Sequence, residues 1–481
     1  MTASAPGASG FARVLGRADL LLFTVSAILT IDTLASAASM GVSWFAWWAI
    51  TMVVFFVPYG LITAELGAAW PGEGGLYVWV REAFGPRWGS LTAWFYWINN
   101  AYWIPSVYLV FAATFHSIFL KAHVPPQWQE GPQATWLQAG IAIALTWFTV
   151  GVGIVRLQVS KWIPNLGALV KVAIFLALGA LGLHALLVGR PPANDFSPGE
   201  LLPRWGDSLA FLPVLLYNAL GFELMSSAGE EMKDPQRDVP RVILVSGAVI
   251  AAVYTLGVAG ILLAVPVAQL SLVTGTWDAL EALGRGWGEG AGWVVRLLGV
   301  GFLYSCVANI VTWSLGVNRV AAAAAAEGAL PAALGRLHPR HRTPHVAFLL
   351  MGVVATLLLI GNALLSARPD NVFWMVFKLS GVCLLLSYLP VFPAFFALRR
   401  RRPEVARPYR LPGGALAAWG AAAACFLFVL GATLLFFKPA PDTPPDQALR
   451  DTWLLAIETA ATAGIGLLLL PRARAGAGTT P

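Results

Sequence analysis

The sequence predicts an all-α integral membrane protein with about twelve transmembrane helices, and three observations support this fold class. The 481 residues are 58% hydrophobic and only 11% charged, whereas soluble globular proteins carry about 25% charged residues. Apolar runs of about 20 residues, the length of a membrane-spanning helix, recur along the chain. The 21 tryptophans suit belts at the membrane interfaces and an aromatic-lined cavity. The short alternating segments typical of a β-barrel are absent from the sequence.

Other features of the composition exclude several functional classes. The net charge of +7 does not indicate a nucleic-acid-binding protein, because the arginines lie in short loops between apolar runs. All three cysteines fall inside those runs, so no disulfide framework or metal-ligand spacing is predicted. Residues 1–16 lack the apolar core of a signal peptide. We find no catalytic triad, metal cluster or ATP-binding motif, and therefore expect neither an enzyme nor a cofactor.

The apolar runs give the order of the predicted elements. The predicted spans are 19–43, 44–69, 89–120, 134–155, 157–188, 208–231, 239–265, 292–325, 345–365, 371–398, 413–437 and 451–470. The corresponding regions are an N-terminal tail (1–18), a core of ten spans (19–398), a linker (399–412), helices eleven and twelve (413–471) and a C-terminal tail (472–481).

The loop charges test this count of spans. With both termini inside, most of the arginines fall in inside loops, including the run Arg399 to Arg402. An excess of Lys and Arg in cytoplasmic loops is the rule for helical membrane proteins. We therefore expect a multi-pass protein of the inner (cytoplasmic) membrane with both termini cytoplasmic. The predicted outside loops hold only Lys121, Arg190, Arg204, Arg285, Arg296, Arg368, Lys438 and Arg450.

The first span carries Asp32 among hydroxylated residues that include Ser26 and Thr30. A carboxylate near the bilayer centre costs about 2.5–3.5 kcal/mol on insertion scales. Small hydroxylated residues can bind the backbone groups that are freed where a helix unwinds. The alternative is a helix packed on small residues, with Asp32 near the outer interface. We favour a functional role for Asp32.

The sixth span is interrupted in a similar way. Tyr217, Asn218, Leu220 and Gly221 form the predicted break, and Glu223 follows it. The alternative is a kinked helix in which Glu223 pairs with a neighbour. Breaks five spans apart are expected where spans 1–5 (about 19–188) and 6–10 (about 208–398) are inverted repeats with a binding site at their interface.

Two lysines also fall within spans. Lys171 lies near the middle of the fifth span, too deep for easy snorkelling. Its ammonium could occupy a cation site, pair with a carboxylate or release a proton. Lys378 in the tenth span lies closer to the outside face and could snorkel. We therefore favour function for Lys171 and leave the role of Lys378 open.

Polar and aromatic residues of two further spans are candidates. Asn99, Asn100 and Tyr102 in the third span could line a cavity or only join helices by hydrogen bonds. Trp313 in the eighth span could stack on a ligand, although large aromatics in membrane helices more often serve packing. Between spans two and three, WPGEGGLYVWVREAFG predicts a short amphipathic element. Its GEGG is not a phosphate loop, since no strand precedes it and no lysine follows.

Four motifs resemble those of the amino acid–polyamine–organocation (APC) superfamily. They are AELGAAWPGEGGLYVWVREAFG at 64–85, GFELMSSAGEEMKDPQRDVPRVI at 221–243, NRVAAAAAAEGALPAALGRLHPRHRTP at 318–344 and RPEVARPYRLPGG at 402–414. SMGVSWFAWWAI, FVPYGLITAELG and FGPRWG are similar to the glutamate/GABA-antiporter-like branch. The resemblance implies twelve helices, a five-plus-five inverted repeat with broken helices 1 and 6, two further C-terminal helices, and alternating access.

The resemblance also implies roles for individual residues. Backbone groups at Ser26, Leu29 and Thr30 would bind a substrate carboxylate, and carbonyls at Tyr217 and Leu220 an amino group. The matching positions imply an aromatic gate at Tyr217, a second at Trp313, an acid after the break at Glu223, and proton coupling by Lys171. Ile28-Leu29-Thr30 replaces the glycine-serine-glycine that many relatives have. This departure disfavours carboxylate binding by bare backbone amides, and Asp32 adds a negative charge near that point.

These features predict a secondary transporter of amino acids that works by alternating access, as an exchanger or a proton-coupled symporter. Asp32 and Glu223 could instead favour polyamines or other organic cations, unless one acid is protonated or paired with Lys171. An alternative of another class is a non-transporting amino-acid sensor. The expected partners are a small amino acid or amine, protons in the case of a symporter, and membrane lipid, with a monomer or homodimer as the assembly. The predicted substrate site comprises Ser26, Leu29, Thr30, Asp32, Asn100, Tyr217, Leu220, Gly221, Glu223 and Trp313, with Lys171 and Glu223 for proton coupling.

Overall fold

A computed structural model describes residues 17–71, 74–129, 131–155, 162–226, 235–285, 291–365, 369–439 and 444–469. Within these ranges the chain forms helices and no β-strand, which agrees with the predicted all-α class. The C-terminal tail (472–481) and nearly all of the N-terminal tail (1–18) lie outside the described residues.

The first half of the chain begins with an interrupted helix. Its two segments, α1 and α2, are separated by Leu29 to Thr33. The helices of this half are α1 (Arg17–Ile28), α2 (Leu34–Ala38), α3 (Trp44–Ala69), α4 (Leu76–Phe84), α5 (Pro86–Leu120), α6 (Pro132–Ile154) and α7 (Trp162–Leu187).

The second half also begins with an interrupted helix, formed by α8 and α9. These two segments are separated by Asn218 to Phe222. The helices of this half are α8 (Leu212–Tyr217), α9 (Glu223–Ser226), α10 (Pro235–Ala264), α11 (Gly275–Gly284), α12 (Ala291–Ala326), α13 (His345–Leu365), α14 (Pro369–Tyr388), α15 (Val391–Arg401), α16 (Gly414–Leu435) and α17 (Pro445–Leu468).

Eight helices in the described part of the chain are long and apolar enough to cross a membrane. They are α3, α5, α6, α7, α10, α12, α16 and the pair α14–α15 taken together. This supports a multi-pass membrane protein. The exact count of twelve spans, the five-plus-five repeat and the division of the chain into regions stay predictions.

Two connections between predicted spans contain a short helix. The structure contains α4 where the sequence predicts a short amphipathic element between spans two and three. It also contains α11 within 266–291, the stretch between two of the predicted spans. Trp277, Leu280 and Leu283 are buried on one side of α11, so its amphipathic pattern is too short to stand out beside the spans.

Longer helices surround the two interrupted helices. α1 packs against α7 and α10, while α5 packs against α12 and α14. α9 contacts α1, and α8 contacts α2. The two breaks are thereby enclosed by the long apolar helices.

The end of the bundle where α1 begins and α15 ends carries a cluster of arginine and glutamate side chains, and we call it the arginine end. It is the end predicted to be cytoplasmic. Here Arg17 Nε donates to Asp238 Oδ1 at 2.5 Å, and Tyr77 OH donates to Glu327 Oε2 at 2.6 Å. These contacts join α1 to α10 and α4 to α12.

Candidate functional site

The two helix breaks are tied together by the side chain of Asn218. Its Oδ1 atom accepts hydrogen bonds from Thr30 Oγ1 at 2.8 Å and from Thr33 Oγ1 at 2.6 Å. The backbone N–H of Thr30 donates to Tyr254 OH of α10 at 2.8 Å. Where the helix unwinds, backbone groups lose their helical hydrogen bonds, and neighbouring side chains bind them instead. A polar group buried in a membrane protein needs such a partner.

The second break needs glycine at position 221. Gly221 has φ = +128°, a conformation that side-chain-bearing residues rarely adopt. A Cβ atom at this position would lie 3.0 Å from Ile28 Cγ1 and 3.3 Å from Trp313 Cζ2. Gly221 therefore permits both the turn and the close approach of α1 and α12.

Asp32 lies in the first break and is only 1% exposed. Trp103 Nε1 of α5 donates to its Oδ2 atom at 3.2 Å, and Asn309 Nδ2 of α12 donates to its Oδ1 atom at 3.2 Å. The carboxylate thus faces the interior of the bundle, between α5 and α12.

Lys171 of α7 lies on the far side of Asn309 and is completely buried. Its Nζ atom donates to Asn309 Oδ1 at 2.7 Å and to the Ser26 carbonyl at 2.5 Å. One amide side chain therefore bridges the ammonium of Lys171 and the carboxylate of Asp32. Lys171 is therefore linked to Asp32 through the side chain of Asn309.

Glu223 is the first residue of α9 and is 2% exposed. Tyr59 OH donates to its Oε2 atom at 2.5 Å, and Tyr96 OH donates to its Oε1 atom at 2.6 Å. Tyr59 OH also accepts from the backbone N–H groups of Gly221 and Phe222, at 3.2 and 3.1 Å. The Tyr59 hydroxyl therefore links the Glu223 carboxylate to the backbone of the second break.

A third tyrosine completes the surroundings of Glu223. The Tyr388 ring lies 5.9 Å from the Tyr59 ring and 6.5 Å from the Tyr96 ring, between centroids. We call Tyr59, Tyr96 and Tyr388 the tyrosine cage. They come from α3, α5 and α14, so the position of Glu223 depends on three helices.

An aromatic wall links the two carboxylates. The Trp313 ring lies 5.8 Å from that of Trp103, which binds Asp32, and 6.2 Å from that of Tyr96, which binds Glu223. Trp313 Nε1 donates to the Ala27 carbonyl at 2.8 Å. The Tyr217 ring packs on Trp103 at 6.3 Å. Trp313 and Tyr217 thus both pack on the Trp103 ring, and their roles as gates stay predictions.

Other predicted site residues have partners of different kinds. Ser26 Oγ lies 3.1 Å from Thr312 Oγ1. The N–H groups of Leu29 and Leu220 donate to carbonyls of α1 and α8, those of Val25 and Tyr217, at 3.0 and 3.2 Å.

The polar residues of α5 and α14 join helices. Asn100 Nδ2 donates to Ser314 Oγ at 3.0 Å and lies 3.1 Å from Met351 Sδ, which ties α5 to α12 and α13. Lys378 Nζ donates to the Lys438 carbonyl at 3.2 Å and lines a cavity with Asp451, apart from the two breaks.

Several site residues were not predicted from the sequence. Tyr59, Tyr96, Trp103, Tyr254 and Asn309 contact the predicted acids or the breaks. Asn309 carries a signal, because it is a polar residue within the apolar run of α12. The tyrosines and the tryptophan occur in spans rich in aromatic residues, where nothing in the sequence distinguishes them.

Paired helix breaks that meet around buried charges, within a bundle of long apolar helices, are typical of secondary transporters. The chain matches the amino acid permease family over residues 15–457. It therefore belongs to this family, which confirms the resemblance to the APC superfamily. The chain is a membrane transporter rather than an enzyme.

Curated relatives agree with this assignment. A probable agmatine/putrescine antiporter of Lactococcus lactis is 36% identical over 82% of this chain and 81% of its own length. An uncharacterized transporter of Legionella pneumophila is 30% identical over 84% of this chain and 85% of its own length. A glutamate/gamma-aminobutyrate antiporter of Lactococcus lactis is 22% identical over 85% of this chain and 81% of its own length.

Proposed function

We propose that the protein exchanges small organic amines across the inner membrane by alternating access, and that dications such as putrescine or agmatine are its substrates. The observation that carries this proposal is the pair of buried carboxylates, Asp32 and Glu223, one at each helix break. When ionised, they and Lys171 have a net charge of −1. That negative charge favours a cationic amine, and the two cationic groups of the substrate would bind one carboxylate each.

The backbone amides of the first break support the same substrate class. Thr30 N–H donates to Tyr254 OH, and Leu29 N–H donates to the Val25 carbonyl. A substrate carboxylate would have to displace Tyr254 to reach the Thr30 amide. An amine that binds the Asp32 carboxylate would leave the hydrogen bond between Thr30 and Tyr254 in place. The partners of Asp32, Trp103 and Asn309, are neutral donors and do not compensate its charge.

The closed state explains how substrate binding connects to transport. Asp32, Lys171 and Glu223 are at most 2% exposed, so both acids are shut off from water in this conformation. Contacts at the arginine end, such as Arg17 with Asp238, hold α1 against α10. In the proposed cycle the tyrosine cage opens with these contacts, and the amine replaces tyrosine hydroxyls on Glu223.

A second candidate is the exchange or proton-coupled uptake of amino acids. It is favoured by the position of Lys171, whose hydrogen bonds to Asn309 and to the Ser26 carbonyl place it beside Asp32. If this lysine compensates Asp32, the site suits a zwitterion. A lysine so placed can also take up and release a proton as its surroundings change.

Counterflow in proteoliposomes tests the proposal. Vesicles loaded with unlabelled putrescine, agmatine, glutamate, γ-aminobutyrate or leucine are assayed for accumulation of the same labelled compound. We expect putrescine and agmatine to exchange, and zwitterionic amino acids neither to exchange nor to compete. Exchange of the amino acids alone would select the second candidate. Binding of an amino acid without flux of any compound would indicate a sensor.

A further inference from the structure

A groove of about 590 Å³ runs along the side of the bundle, outside the transport site. Side chains of α4, α5, α14, α15, α16 and α17 and of the bend between α14 and α15 form its walls. They are mainly apolar and include Trp88, Phe95, Leu389, Pro393 and Phe426. Trp88 is 56% exposed, so the groove opens sideways, toward the lipid of the bilayer.

Two arginines lie next to aromatic residues that line this groove. Arg87 directly precedes Trp88 at the start of α5 and is exposed. Arg401 Nη1 donates to the Ala83 carbonyl at 3.0 Å. The next residue, Phe84, lines the groove. Both residues are therefore next to residues that line the groove, at the arginine end of the bundle.

Arg400 is the third cation at this position. It follows Pro393 by seven residues in α15, so the two lie on the same face of the helix two turns apart. Its guanidinium lies over the Phe396 ring, 5.4 Å from the centroid. In the part of the chain that the structure describes, Arg87, Arg400 and Arg401 have no acidic partner within ion-pair distance, whereas Arg402 pairs with Glu82 at 3.6 Å.

We propose that this groove binds one anionic phospholipid. An acyl chain would lie between α5 and the bend that joins α14 to α15, against Phe95 and Leu389. The phosphate would bind Arg87, Arg400 and Arg401. Arginine suits this task, since its planar fork binds phosphate oxygens and its aliphatic stem tolerates the interface. A row of basic residues at the membrane surface is attracted to anionic lipid.

The back of the groove adjoins the tyrosine cage. Phe95 lines the groove and Tyr96 binds Glu223; likewise Leu389 lines the groove and Tyr388 belongs to the cage. A chain in the groove therefore supports the two helices that position Glu223. We expect exchange by the full chain to be faster in vesicles with anionic lipid than in vesicles of zwitterionic lipid alone.

Native mass spectrometry of the delipidated full-length protein tests the proposal. Phosphatidylglycerol and phosphatidylcholine with identical chains are added in turn. We expect phosphatidylglycerol to be retained in a 1:1 complex on the order of tenfold more strongly. The double variant Arg87→Ala/Arg400→Ala should lose this preference. The matched control Arg336→Ala/Arg340→Ala, in the exposed segment between α12 and α13 at the same end, should keep it.

A second variant keeps the headgroup site and fills the groove. Ala463→Phe, at a half-exposed position in the groove wall of α17, should abolish 1:1 retention of phosphatidylglycerol without lowering the unfolding temperature by more than a few degrees. Equal retention of the two lipids, or unchanged retention by the double arginine variant, would overturn the proposal. So would dissociation of a dimer by Ala463→Phe with lipid retention unchanged, because the groove would then be an interface between copies.

Discussion

Among single residues, Asn309 connects the two buried charges Lys171 and Asp32. This side chain accepts a hydrogen bond from Lys171 and donates one to Asp32. The ammonium and the carboxylate are therefore coupled through one amide rather than by direct contact. A proton that leaves Lys171 removes the positive charge beside Asp32 and changes how strongly that carboxylate attracts an amine. This arrangement gives a physical basis for the proposed proton coupling.

The variant Lys171→Ala separates coupling from substrate binding. We expect putrescine binding and counterflow to persist, because Asp32 and Glu223 remain, whereas amino-acid uptake driven by a pH gradient, which belongs to the second candidate, should be lost. Uptake and binding are measured in the same proteoliposomes and in detergent. The control is Lys378→Ala, which removes a buried lysine that binds the Lys438 carbonyl instead. Proton-driven uptake that survives in Lys171→Ala would refute the coupling role.

At the scale of helical elements, the site depends on two interruptions that occur at different places for different reasons. The first follows Ile28 and is held by Asn218 and Tyr254. The second depends on Gly221, whose backbone conformation and contact with Trp313 exclude a larger residue. Each break exposes polar backbone that must be satisfied within the bundle.

The variant Gly221→Ala tests the second break. A Cβ atom at φ = +128°, 3.0 Å from Ile28 Cγ1, is expected to destabilise the closed state by about 1–3 kcal/mol. We expect a lower unfolding temperature in detergent and slower exchange. The control Gly420→Ala, in α16 with no atom within 4 Å of the added Cβ, should leave both unchanged or slightly raise the unfolding temperature. Equal effects of the two variants would contradict the assigned role of Gly221.

The interruptions could be predicted from the sequence, whereas most of their partners could not. Asp32, Gly221 and Glu223 are conspicuous because charge and glycine are costly within apolar runs. Tyr59 and Tyr254 look like ordinary span residues, and their roles depend on how distant helices pack. Periodicity does not encode that packing. The helix α11 could not be predicted for a different reason, since its ten residues lie in a connection between much longer apolar spans.

At the scale of the whole molecule, one buried carboxylate joins the linker to the core. Glu65 of α3 is 1% exposed. It accepts from Arg399 Nε at 2.8 Å and from the Leu411 N–H at 2.8 Å, and Arg407 Nε lies 3.5 Å away. These bonds connect α3, α15 and the segment before α16. The predicted linker, 399–412, is therefore anchored to the transport core.

The variant Glu65→Gln tests this connection. Removing one partner of a buried ion pair costs roughly 3–5 kcal/mol, so we expect a marked fall in the unfolding temperature in detergent. The matched control is Glu82→Gln, in which a 27% exposed carboxylate beside Arg81 is neutralised. An exposed pair contributes at most about 1 kcal/mol. Similar losses in both variants would show that Glu65 does not anchor the linker.

Asp32 and Glu223 are proposed to bind a cationic amine together, and calorimetric titration of the purified protein with putrescine measures that binding. We expect the native chain to bind, and Asp32→Asn and Glu223→Gln each to weaken binding by about 30-fold or more, as truncation of a buried charge pair does. Glu281→Gln, an exposed acid of α11, should have no effect. Unchanged putrescine affinity in both Asp32→Asn and Glu223→Gln would show that the two carboxylates do not bind the amine.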